Sequence, residues 1–267
     1  MYEKFYGFKE NPFNLTPDSK YFYPSEKHTE ALDSLAYAIN ERKGFVVITG
    51  EIGSGKTTVC RALLNRLGPN TKVSLIINTH MSSKDLLITV LDDLGEAPVK
   101  GTKARLLSQL NNFLISELSH DNNIVLIIDE AQNLTPRVLE EIRMLSNLET
   151  EKEKLIQIIL IGQPELREKL HLKYLEQFKQ RINLQYHLMP LDKEDTEGYI
   201  KHRLLQATEN GSDVFTPEAL DRIYEYSQGI PRLINSLCDQ ALLNGYIYSK
   251  PKIDKDIIEE SIKEKEI

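Results

Sequence analysis

One octapeptide constrains the fold of this chain more than any other stretch: Gly50-Glu51-Ile52-Gly53-Ser54-Gly55-Lys56-Thr57. It fits G-x-x-x-x-G-K-[ST] at every fixed position. An apolar run, Phe45-Val46-Val47-Ile48-Thr49, precedes it, and Val59, Leu63 and Leu67 follow at helical spacing. A strand, a glycine-rich loop and a helix in that order form a phosphate-binding device. The glycines let the backbone curl with its N–H groups inward, the helix start adds partial positive charge, and phosphate oxygens fill the nest. Lys56 is expected to reach the β- and γ-phosphates of a nucleotide, the Thr57 hydroxyl to ligate Mg²⁺, and Thr58 to touch the α-phosphate.

The flanking pattern extends this to an α/β domain. A helix is expected from Ser25, with Ala31, Leu32, Leu35, Ala36 and Ile39 on one face. Further strands are expected at 73–77, 124–128, 155–161 and 184–188, separated by helical stretches at 83–94, 103–119 and from Pro136. Their continuous Val, Ile and Leu runs imply strands covered on both faces, hence a mostly parallel sheet between helices. After Pro190 the strand signal stops. Segments 192–206, 216–227, 231–247 and 254–265 read as amphipathic helices, one of them opened by Thr216-Pro217-Glu218, an N-cap, a first-turn proline and an early acid. The chain thus divides into a lead-in over 1–26, an α/β nucleotide-binding domain over 27–190 and a helical lid over 191–267. The lead-in is dense in rings and prolines (Phe5, Tyr6, Phe8, Pro12, Phe13, Pro17, Tyr21, Phe22, Tyr23, Pro24) and reads as extended chain. Its rings either anchor the N-terminus or flank a nucleotide base. The mixed-charge run Glu149–Lys154 reads as a solvated loop.

The strand Ile124–Ile128 delivers two acids, Asp129 and Glu130, at its C-terminal end, the edge where open α/β sheets bind ligands. Asp129 is expected to hold Mg²⁺ through water, and Glu130 to orient and deprotonate an attacking water. A metabolite kinase draws its nucleophile from the acceptor and needs no such Glu, so hydrolysis is the better reading. Gln163 follows the fourth strand and is either a plain loop polar or a hydrogen-bond partner for the γ-phosphate or the lytic water. Arg181 ends a helical segment before the fifth strand. It is either a surface ion-pair residue or a finger reaching a neighbouring subunit's nucleotide. Arg232, in Gly229-Ile230-Pro231-Arg232, opens a helix of the C-terminal bundle. A cation there opposes the helix dipole, so it needs another partner, and a γ-phosphate would serve.

Composition bounds the setting. A formal charge of −7 over 267 residues makes non-specific DNA coating by bulk charge a poor reading. Only Cys60 and Cys238 are present, which is no disulfide framework, so a reducing cytoplasm is the expected compartment. No apolar run approaches the roughly 20 residues that span a bilayer, and the start lacks the basic end and apolar stretch of a secretory signal.

With these residues in place the chain resembles the AAA+ ATPases, and more narrowly the ExeA-type ATPases of bacterial general secretion, the GspA family. The likeness runs through Phe5-Tyr6-Gly7-Phe8, Asn11-Pro12-Phe13, the phosphate-loop octapeptide, Ile128-Asp129-Glu130-Ala131-Gln132-Asn133-Leu134, Leu145-Ser146-Asn147-Leu148-Glu149, Gly162-Gln163-Pro164-Glu165-Leu166 and Gly229-Ile230-Pro231-Arg232-Leu233-Ile234-Asn235. It implies a parallel sheet of order 5-1-4-3-2 followed by a helical lid, ATP and Mg²⁺ bound at a subunit interface, and assembly into a ring or filament. It also assigns Gln163 to sensor 1, Arg181 to the finger and Arg232 to sensor 2. Secretion members of the family often continue into a transmembrane helix and a peptidoglycan-binding domain. The present sequence ends after the lid, so the resemblance gives it no anchor, and the expected location is cytoplasmic or peripheral to the inner membrane through a partner.

The leading expectation is therefore an ATPase whose lid movement drives or regulates assembly of a secretion or envelope complex. The alternative is a DNA-binding ATPase adaptor of the transposition type, as in the TnsC and MuB ATPases. Here the basic residues are scattered among acids, and no helix-turn-helix or Lys/Arg cluster stands out.

Overall fold

A computed structural model describes residues 1–16, 18–208 and 213–265. Pro17 of the lead-in, residues 209–212 and the last two residues of the expected lid lie outside that description. In chain order the first elements are α1 (Tyr2–Tyr6), α2 (Glu26–Asn40), β1 (Phe45–Gly50), α3 (Lys56–Arg66), β2 (Thr71–Ile76), α4 (Ser83–Asp93), α5 (Lys103–Ser119) and β3 (Asn123–Ile128). Then come α6 (Pro136–Leu145), β4 (Gln157–Gly162), α7 (Pro164–Leu170), α8 (Glu176–Lys179), β5 (Leu184–Leu188), α9 (Lys193–Ala207), α10 (Pro217–Ser227), α11 (Pro231–Ile247) and α12 (Lys255–Lys265). The chain divides into two compact units. One comprises Ala31–Gly50 and Leu63–His187, the other Met1–Glu30, Glu51–Ala62 and Leu188–Ile267.

The first unit is built on a parallel sheet of order β2-β3-β4-β1-β5, which is the expected 5-1-4-3-2 read from the other edge. Register follows the pleat: Phe45 lies opposite Ile158, Val47 opposite Leu160 and Leu126 opposite Ile158. These residues share one face and one core with Leu86, Val90, Leu106, Leu110, Leu139, Ile142 and Phe178 of the covering helices. The alternate strand residues Val46, Ile48, Val125, Ile127, Ile159 and Ile161 are equally buried, as they must be where both faces of the sheet are covered. Two strand limits differ from expectation. Pairing of β2 ends at Ile76 opposite Ile128, which leaves Ile77 exposed. β4 starts at Gln157, because Glu149 and Lys154 close the preceding loop in an isolated bridge and Leu155 and Ile156 are buried outside the ladder.

The second unit is helical. Helices α9–α12 share a core through Tyr199, Ile200, Leu204, Ile223, Leu237, Ala241, Ile253 and Ile258. The Thr216 side chain accepts a hydrogen bond from the Ala219 N–H at 3.3 Å, with Pro217 in the first turn, as the sequence implies. The lead-in departs from the extended chain expected of it. Its prolines all lie beyond residue 11, so nothing forbids a helical turn at Tyr2–Tyr6, which Gly7 ends at φ 75°. Tyr2, Phe8 and Phe13 are buried in the helical core, so these three rings serve as anchors. Asp239 of α11 accepts from the Tyr2 hydroxyl and from the Asn11 amide. Arg203, only 5% exposed, donates to the carbonyls of Pro12 and Asn14 at 2.6 and 3.0 Å and lies 4.5 Å over the Tyr21 ring.

Candidate nucleotide site

The loop after β1 carries its curvature at two glycines, Gly53 at φ 80° and Gly55 at φ 99°. A Cβ at Gly53 would stand 2.4 Å from Cβ of Arg232, and one at Gly55 would stand 3.0 Å from Nε2 of His28. Both glycines are thus required by conformation and by space. Gly50 is buried at the end of β1, Glu51 and Ile52 are exposed, and Thr57 and Thr58 are half-buried in the first turn of α3. Lys56 is 8% exposed, and its ammonium donates to the Glu51 carbonyl at 2.8 Å and so folds back over its own loop. The Ser54 hydroxyl is buried and finds no partner among the described residues. Left-handed glycines, a lysine folded over the loop and threonine hydroxyls in the first helical turn fit a polyphosphate with its divalent cation.

Arg232 and the loop are in direct contact. Helix α11 has no side-chain cap at Ile230, and the Arg232 N–H donates instead to the Gly53 carbonyl at 3.2 Å. The phosphate loop therefore supplies part of the cap that Gly229-Ile230-Pro231 lacks. The Arg232 guanidinium is exposed and makes no hydrogen bond or ion pair among the described residues.

His28 was not singled out by sequence reasoning, yet it braces the loop. It is 5% exposed on α2, and burial pushes its imidazole below the ordinary range, so the ring is neutral at neutral pH. A carbonyl can only accept, so Nε2–H donates to Ser54 O at 3.1 Å, and Nδ1 accepts from the Ser25 hydroxyl at 2.8 Å. The available signal was Ser25-x-x-His28 at a helix start, a spacing that ordinary capping also produces.

The acids belong to the sheet unit. Asp129 is buried just past β3, its N–H donating to the Ile76 carbonyl at 2.9 Å, while its carboxylate accepts from the Glu130 N–H at 2.8 Å. Glu130 sits at φ 52°, a left-handed conformation that a non-glycine residue adopts at a cost and that recurs at functional sites. Its Oε2 accepts from the amide of Gln163 at 3.1 Å and from that of Gln132. The Gln132 Oε1 accepts in turn from the Gln163 backbone N–H at 3.1 Å, so the three residues form a closed triangle of hydrogen bonds. Lys169 fastens the turn beneath, donating to the carbonyls of Gln132 and Leu134, both at 2.7 Å, and burial pulls its ammonium below the usual lysine range. Glu130 and Gln163 are thus brought together, whereas Gln132, within the stretch Ile128–Leu134, carries no sequence signal of its own for this contact. Arg181 stands apart: it follows α8, is exposed, and its guanidinium forms no ion pair among the described residues. No group of three or more His, Cys, Asp or Glu among the described residues is arranged to hold a metal.

A model of the AAA domain family matches residues 39–170. The chain is 43% identical over 254 residues to general secretion pathway protein A of Aeromonas hydrophila, a match covering 95% of this chain and 46% of that protein. It spans about half the length of the curated relatives it matches. Among solved structures, the ORC2 protein of Aeropyrum pernix, in ADPNP–ADP complexes, superposes with a TM-score of 0.69 at 16% identity, covering 96% of this chain and 72% of that one. Drosophila ORC bound to DNA superposes with a TM-score of 0.70 at 16% identity, covering 94% and 63%. At such identities the structural likeness speaks to fold alone.

Proposed function

Because this chain belongs to the AAA+ P-loop NTPase family and is related along nearly its whole length to a general secretion pathway protein A, we propose that it binds and hydrolyses ATP to drive or regulate assembly of a secretion or envelope complex. The observation that carries this reading is the Arg232 guanidinium at the phosphate loop, which has no hydrogen bond or ion pair among the described residues, a cation against a helix dipole that a polyphosphate would neutralise.

In this reading the N–H groups of residues 50–55 cradle the phosphates, and Lys56 exchanges the Glu51 carbonyl for β- and γ-oxygens. Thr58 contacts the α-phosphate. The Thr57 hydroxyl and, through water, Asp129 would hold Mg²⁺, which would supply neutralisation of phosphate charge. Glu130, fixed by Gln132 and Gln163, takes the proton from the attacking water, while Gln163 also reports the γ-phosphate. Arg232 couples the phosphates to the start of α11, so that loss of the γ-phosphate shifts the helical lid. Arg181 acts on the nucleotide of a neighbouring copy in a ring or filament. The setting is the cytoplasmic side of the inner membrane, reached through a secretion partner. Among the described residues no helix is long and apolar enough to cross a membrane.

The test pairs two variants. Lys56→Ala should abolish ATP binding by calorimetry, while Glu130→Gln should keep binding and lose turnover by about 10²–10⁴-fold, the usual weight of a positioned general base. Turnover by Glu130→Gln at the wild-type rate would overturn the assignment.

A further inference from the structure

The sheet unit holds a cavity of mixed polar and apolar lining that the nucleotide reading does not use. It has a volume of about 270 Å³ and is lined by Val47 and Thr49 of β1, Arg167, Leu170 and His171 at α7, Lys179 of α8, and Gln185, Tyr186 and His187 of β5. No lining residue belongs to the phosphate loop, to the Asp129-Glu130 pair or to Gln163.

Three features give the cavity a chemistry. Its walls are fixed: Thr49 Oγ1 and His187 Nδ1 pair at 2.9 Å between β1 and β5, and the Phe45 and Phe178 rings meet edge-on at 4.9 Å, holding α8 to the sheet. Its charge is one-sided. Arg167 and Lys179 both line it, neither forms an ion pair among the described residues, and no carboxylate lines it. The His171 Nδ1–H donates to the Arg167 carbonyl at 2.6 Å, which orients that imidazole on α7. Finally, Val47 and Leu170 supply an apolar surface, and both are buried. Two like charges on the rim of one concave surface, with no carboxylate in its lining, raise the local positive potential and so attract an anion. An apolar surface beside that cationic rim suits a ligand with an apolar body and an anionic head. The volume falls just under the roughly 300 Å³ at which sites for drug-sized ligands begin, so the ligand is small.

We propose that this cavity is a binding site for a small organic phosphate, with Arg167 and Lys179 on the phosphate and Val47 and Leu170 against the organic body. The site stands independently of the ATPase reading.

Phenyl phosphate is the probe, titrated calorimetrically in the presence of excess ADP so that the phosphate loop is blocked. It should bind wild type and Lys56→Ala alike, and at least about tenfold more weakly to Arg167→Gln/Lys179→Gln, an exposed pair whose exchange should leave the thermal midpoint unchanged. Phenol, which lacks the charge, and inorganic phosphate, which lacks the body, should each bind more weakly than phenyl phosphate. The proposal is overturned if the double variant binds phenyl phosphate as tightly as wild type, if affinity disappears in Lys56→Ala instead, if inorganic phosphate binds equally well, or if wild type shows no binding at millimolar probe.

Discussion

The sheet unit and the helical unit place opposite chemistry on opposite kinds of scaffold. The sheet unit runs almost continuously from Ala31 to His187 and presents acids and amides, Asp129, Glu130, Gln132 and Gln163, at the ends of β3 and β4. The helical unit gathers three separated stretches of chain and presents donors: glycine N–H groups, Lys56 and Arg232. The acids need exact placement, and strand ends flanked by hydrogen-bonded turns provide it. Among the donors, Arg232 meets the phosphate loop through its backbone N–H at one carbonyl, that of Gly53, 3.2 Å away. In the proposed reading the sheet unit carries the groups for hydrolysis and the helical unit those that sense its outcome.

The comparison would break if the units were energetically one body. Phe13→Ala empties a fully buried ring site of the helical core and should cost about 3–5 kcal/mol. Hydrogen exchange should report that loss over α9–α12 more than over β1, β3 and β4. Leu126→Ala, in the sheet core, should cost about 2–5 kcal/mol with the reverse pattern. Equal loss of protection in both units for either variant would remove the distinction.

A smaller effect sharpens the idea of a sensing half. Arg232→Ala should weaken ATP affinity about 10- to 100-fold, roughly 1.4–2.7 kcal/mol, while leaving the Glu130–Gln132–Gln163 triangle intact, as side-chain amide NMR would show. Unchanged affinity would leave Arg232 with only its backbone bond to Gly53.

The smallest effect concerns His28. His28→Leu removes the donor to Ser54 and should weaken ADP binding about tenfold, near 1.4 kcal/mol. His28→Gln, whose amide nitrogen can replace Nε2–H, should recover most of that loss. Burial pushes the imidazoles of His28 and His202 below their ordinary range. The unfolded chain therefore takes up protons first as pH falls, and stability decreases from the ordinary imidazole range near about 6.5 down to the lower folded values. Chemical denaturation between pH 7 and 5 should show this slope, flattened in His28→Gln. An equal slope in that variant would exclude His28 as a source.

Much of this was legible because it is local. The octapeptide at Gly50–Thr57, the apolar runs of the strands and the capped helix at Thr216 are short-range patterns, and each fell within a few residues of its place. The resemblance to secretion ATPases added the strand order that periodicity cannot give. The N-terminal turn was hidden because ring density and nearby prolines suggested extended chain, although Tyr2–Tyr6 contains no proline. His28 and Gln132 were hidden for a different reason: an isolated His or Gln gains meaning only from what faces it.

By itself the sequence determined the phosphate loop, the paired acids and the alternation of strand and helix, because glycine conformation, charge and hydrophobic period act between near neighbours. Tertiary structure alone decided that Gly53 caps the helix of Arg232, that His28 holds Ser54, and that Gln132 and Gln163 converge on Glu130. It also placed Arg167 and Lys179 on one cavity. Except for Gln132, two residues from Glu130, these pairings join residues that lie from a dozen to well over a hundred positions apart, and only chain closure around a packed core brings such groups together.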